Sequence, residues 1–173
     1  MPFWKAFFAE LGYRAVLSDA TNKELIRKGV ENVVAETCFP IKVSHGHVLN
    51  LLEKGVKRIF LPSIVNLKSP HPEIPISAAC PYAQAFPYAV HSSIDFKKDH
   101  VEVLQPVFHF RFGRDHVEKE LVDFGKSLHR GSKQVKRAFG KAERFQALFY
   151  QSLLNRGKEI LNQIGPDEKT MVI

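Results

Sequence analysis

Short apolar runs alternate with helical stretches along this chain, and Gly or Pro marks almost every junction. That alternation constrains the fold more than any other feature. Phe3, Phe7, Phe8 and Leu11 share one side of a first helix that Gly12 ends. Tyr13–Ser18 reads as a strand. Asp19, Thr21 and Asn22 are cap candidates for a helix over "NKELIRKG", closed by Gly29. Asn32–Glu36 reads as a second strand, Pro40 to about Lys54 as a helix stopped by Gly55, and Lys57–Pro62 as a third strand. Ser63–Ala79 is rich in Pro, Ser and Asn and reads as a long loop, a feature more often functional than idle. Pro81 opens a helix to about Ile94, kinked or restarted at Pro87. His100–Pro106 is the fourth strand, and helices over Arg114–His129 and Ser132–Ile164 complete the chain.

This order predicts an α/β fold: an open parallel sheet of Rossmann or flavodoxin-like type, flanking helices, and a C-terminal helical hairpin. Residues 1–112 form the expected α/β domain, and 113–165 the hairpin packed on it. Residues 166–173 read as the start of a further strand, as in a piece of a larger polypeptide. In the last helix Val135, Ala138, Phe139, Ala142, Phe145, Phe149, Leu153 and Ile160 are spaced as one buried stripe. No apolar run reaches membrane-spanning length, and two cysteines are no disulfide framework, so a reducing cytoplasm is the expected setting.

The formal charge is +7. Much of the excess falls on Lys133, Arg137, Lys141 and Arg144, one stripe of a helix. The bland reading is a solvated face, and the functional one is docking onto an acidic partner surface. Nucleic-acid binding ranks below both, because Phe139, Phe145 and Phe149 lie on the opposite stripe instead of interleaving with the cations.

Cys38 and Cys80 share a setting. Each follows a strand and stands just ahead of a proline-opened helix. Ligands in open parallel sheets gather beyond the carboxyl ends of the strands, so both thiols are expected on one rim. There, helix N-terminal amides favour thiolate, the form that binds metal. The bland reading is a pair of small buried hydrophobes. Three active readings compete: an iron–sulfur cluster, zinc shared with His45 or His47, and a redox dithiol. The histidines match no zinc signature, and His45 shares an apolar stripe with Ile41, Val48 and Leu52, which argues for packing. Asn66, Tyr82 and Gln84 are candidates to line a pocket at this rim. The sequence contains no G-x-G-x-x-G run, Walker A spacing or nucleophile elbow.

The segments "ETCFPIKVSHGHV", "FLPS" and "CPYAQAFPYAV" resemble a domain of acyl-CoA dehydratase activase-related proteins, also called CoA-substrate-specific enzyme activases. These are distantly similar to 2-hydroxyacyl-CoA dehydratase subunits, and the likeness spans nearly the whole chain. It implies that Cys38 and Cys80 are ligands of a [4Fe–4S] cluster in the complete protein. It also implies ATPase activator domains or dehydratase-like subunits as partners, with a homodimer as a further arrangement. The chain has no third cysteine, so the remaining ligands come from elsewhere.

Overall fold

Where the sequence supplies helix caps, helices form. The computed structural model describes residues 2–69, 73 and 77–165; the strand expected over 166–173 lies outside them. Helix α1 spans Pro2–Glu10, and α2 spans Lys23–Glu31. Asn22 caps α2, its side chain accepting from the Leu25 amide. Helix α3 spans Phe39–Glu53, and Gly55 at φ +69° turns the chain out of it. Strands β1 (Arg58–Phe60) and β2 (Ser63–Asn66) follow, then α4 (Pro81–Ser93), β3 (Glu102–Leu104) and β4 (Val107–His109). A 3-10 turn at Phe110–Phe112 leads through Gly113 into α5 (Arg114–Ser127), and α6 runs from Ser132 to Gln163.

The strands are not the set expected. β1 pairs with β3 and β2 with β4, both in parallel. The Leu61 amide donates to the Leu104 carbonyl and the Ser63 amide to the Pro106 carbonyl, which joins the segments into one two-stranded run. Helix α4 provides the crossover. Ile59 packs among Val48 of α3, Val90 of α4 and Ile94 at the end of α4. Its neighbour Phe60 meets Phe124 of α5, because successive strand residues face opposite sides. The result is mixed α/β with helices on both faces, but the open four-stranded sheet is not formed.

Tyr13–Ser18 and Asn32–Glu36 are not strands. Val16, Leu17 and Val34 are exposed, and β-propensity without a partner strand yields no ladder. Conversely, the expected loop Ser63–Ala79 begins with β2, and Ala78 bridges back to Asn66. Helix α4 passes through Pro87 without a break, and the Pro87 carbonyl accepts from Gln105 Nε2.

Two compact units emerge: residues up to Ala15 with those from His129 onward, and Val16–Leu128. Of the two helices expected over 113–165, α5 belongs to the second unit and α6 to the first. Helix α6 finds its partner in α1, and α5 finds its partner in β4 and the turn beside it. In the first unit Phe7 and Leu11 are buried, as are Val135, Ala138, Phe139 and Ala142. Beyond them Phe145, Phe149, Leu153 and Ile160 are exposed, so the expected stripe is buried over its first half only. Length explains this: α6 has 32 residues, about 48 Å, and α1 has 9, about 14 Å.

Candidate functional site

In the Val16–Leu128 unit, Cys38 is the N-cap of α3, with Pro40 in its first turn, and Cys80 is the N-cap of α4, with Pro81 as its first residue. The main chain at both is extended (Cys38 ψ 152°, Cys80 ψ 132°), and neither side chain caps its own helix. Both thiols are exposed, so neither is a buried packing group.

Topology puts them on one rim. Helix α3 leads into β1 and α4 into β3, and these strands are parallel, so the two helices run the same way. Their faces meet at His45 and Phe86, whose rings lie edge to face at 5.3 Å. His45 stands seven residues beyond Cys38 and Phe86 six beyond Cys80. At 1.5 Å per residue, each cysteine sits roughly 9–10 Å back from that contact, at the N-terminal end of its helix. The Ala79 amide donates to the Val65 carbonyl, fixing Cys80 beside the end of β2.

The other expected residues separate into two groups. Asn66 and Gln84 are built into the rim. Asn66 Oδ1 accepts from the Arg111 amide, and Gln84 Nε2 donates to the Ala79 carbonyl at 2.7 Å. Tyr82, in the first turn of α4, is exposed. His45 is buried, with Nδ1 2.9 Å from the Ile41 carbonyl oxygen, a packing histidine as its stripe implied. His47 turns away from it and meets Ser18 Oγ at 2.8 Å and Thr21 Oγ1 at 3.1 Å. With Asn50 and Lys54 it straps segment 17–21 along α3. The two histidines therefore do not converge on one ion.

Two hydroxyls stand out beside the thiols. Thr37 directly precedes Cys38, and Ser77 lies three residues before Cys80. Thr37 Oγ1 and Ser77 Oγ are the buried side-chain oxygens without a hydrogen-bond partner among the described residues. Each is a donor available to a group that would accept from it.

In the other unit, the basic stripe is partly spent within the fold. Arg137 Nε and Lys141 Nζ each lie 2.7 Å from the Glu10 carboxylate of α1, while Lys133 and Arg144 sit at its ends. These pairs hold the Glu10 carboxyl below the usual carboxylate range, the Lys141 hydrogen bond being the main cause.

One cluster went unread in the sequence. His109 ends β4, and His116 and Glu120 lie one turn apart on α5. Their ligand-type atoms all fall within 4.8 Å of one another. The signal was a His-x-x-x-Glu pair on a helix close behind a strand-end histidine. A cleft of about 490 Å³ runs along β3, β4 and α5, with Glu120 on its wall.

A family model described as the CoA enzyme activase uncharacterised domain matches residues 1–173. The chain belongs to that family. Comparison with curated proteins and with solved structures gives no match. The resemblance carried by "ETCFP" and "CPYAQ" is thus the family itself, and these segments lead into α3 and open α4 in this CoA enzyme activase domain. No helix among its described residues is long and apolar enough to cross a membrane.

Proposed function

We propose that this activase domain is an electron-transfer module that contributes Cys38 and Cys80 as thiolate ligands to a [4Fe–4S] cluster in an acyl-CoA dehydratase/activase-like system. The observation that carries the reading is the matched placement of two exposed thiols at the N-caps of two same-running helices. The donor set fits in part: two thiolates fill two of the usual three or four positions, and a partner supplies the rest. Thr37 and Ser77 fit as well, since hydrogen bonds to sulfur tune such a group. When bound, the cluster supplies one-electron chemistry. The chain's own part is to hold both sulfurs at the N-terminal ends of two helices. An ATPase activator domain or a dehydratase-like subunit in the cytoplasm is the partner proposed.

Anaerobic reconstitution with iron, sulfide and excess free thiol, which fills the vacant corners, tests this. A broad visible chromophore is expected, lost in Cys38→Ser plus Cys80→Ser. Equal loading of that double variant would falsify the reading.

The second reading is a cofactor-free docking module. The exposed apolar half of α6, from Phe145 to Leu161, favours it. Retained partner binding in the double cysteine variant, lost on polar substitution of Phe149 and Leu153, would establish it.

A further inference from the structure

We propose that His109, His116 and Glu120 form a site for a divalent first-row transition metal ion, with coordination positions left open to water or to an oxygen of a bound ligand. The site uses neither cysteine and stands independently of the cluster reading.

The donors are of the right kind and converge. Glu120 Oε1 lies 2.6 Å from His109 Nδ1 and 3.0 Å from His116 Nε2. Two imidazole nitrogens and one carboxylate oxygen on one side of an ion form the set that holds zinc or non-haem iron with positions to spare. The ligands come from two elements. His116 and Glu120 project from the same face of α5 at i, i+4, and His109 reaches them from the end of β4. A metal would take the place of the protons that bridge the carboxylate to the rings, each neutral imidazole then carrying its single proton on the far nitrogen.

The surroundings hold these side chains in place. Glu120 Oε2 accepts from the His109 amide at 2.9 Å, which fixes the carboxylate plane. The Phe112 ring stacks on His109 at 5.2 Å and 7°, and stands edge to face with His116 at 5.0 Å and 87°. Outer contacts of this sort orient ligands. Exposure is graded: the Glu120 side chain is 18% accessible, His109 28% and His116 44%. The ion would be held from the buried side and approached from the His116 side. The position also suits ligand binding, because it lies at the carboxyl end of a parallel strand. Asn66 pairs in register with His109, accepts from the Arg111 amide, and bridges to Ala78 two residues before Cys80. The cluster and Cys80 are thus served by one buried asparagine.

A bland alternative exists: the three groups only staple the 3-10 turn to α5. Metal titration separates the two. Chelator-treated protein is titrated with zinc chloride by calorimetry and with cobalt(II) by visible spectroscopy. One ion per chain is expected, with ligand-field bands of cobalt and no thiolate charge-transfer band. His116→Gln and Glu120→Gln should each weaken zinc at least about tenfold, while Cys38→Ser plus Cys80→Ser leaves zinc unchanged. In the unsubstituted protein, cobalt should shift or broaden the ring-proton NMR signals of His109 and His116. That measurement decides the matter even if a variant fails to fold. Absence of saturable binding, a thiolate band, or selective perturbation of other histidines overturns the proposal.

Discussion

Gly29 of α2 lies against Gly46 of α3, so close that a methyl group on either would strike main chain. A Cβ on Gly29 would overlap the Lys42 carbonyl and come within 3.0 Å of the Gly46 amide nitrogen. One on Gly46 would overlap the Leu25 carbonyl. The two helices touch backbone to backbone, and this contact seats α3, with Cys38 at its head.

Gly→Ala within a helix ordinarily gains up to about 1 kcal/mol. Here Gly29→Ala and Gly46→Ala should each cost roughly 1–3 kcal/mol, because neither methyl has anywhere to go. Urea unfolding checks the sign. Gly157→Ala, with nothing near its position, should be neutral or stabilising.

Acid should weaken two ion-pair clusters. Glu10 is held below the usual carboxylate range chiefly by its hydrogen bond to Lys141, and Asp19 chiefly by its bond to Lys54, with Asn50 assisting. A carboxyl depressed in the folded state stabilises above its unfolded pKa, about 4, and loses that contribution as pH falls through the folded value. Melting temperature followed from pH 6 to pH 3 should fall less steeply in Glu10→Gln and Asp19→Asn than in the parent. Parallel acid limbs would show that these pairs contribute nothing.

Helix α6 should respond unequally along its length. Phe139 is buried against α1, and Phe139→Ala should cost about 3–5 kcal/mol. Leu153→Ser and Phe149→Ser alter exposed positions and should change stability by no more than about 0.5 kcal/mol. Chemical denaturation of the three variants tests the contrast.

Both thiols should be open to reagent in the native protein. Cys38 and Cys80 are exposed at N-caps, so a thiol-specific reagent should modify two equivalents before denaturant is added. Slow labelling that speeds up only on unfolding would contradict the placement.

Much of this was legible in local chemistry. Asn22 as a cap, Gly55 as a stop, Pro81 as an opener and the 3.6-residue spacing of Phe3, Phe7 and Leu11 all act within a turn or two of themselves. The cysteines' station at proline-opened helices was readable for the same reason. The sheet was not. Tyr13–Ser18 and Asn32–Glu36 have strand-like residues and no strand to pair with, whereas Ser63–Asn66, sited in an expected loop, finds β4. Gly29 looked like a helix end and is an interior contact, since only the neighbouring helix gives its missing side chain a purpose.

The linear order of residues determined most helix starts and stops, Gly29 apart, and which residues have the chemistry of ligands. Tertiary structure decided which segments became strands, which half of α6 was covered, and which donors met. A strand needs a partner's amides and carbonyls, and a metal-type cluster needs side chains from separate elements, here His109 from a strand and Glu120 from a helix. Neither condition exists until the chain has folded back on itself.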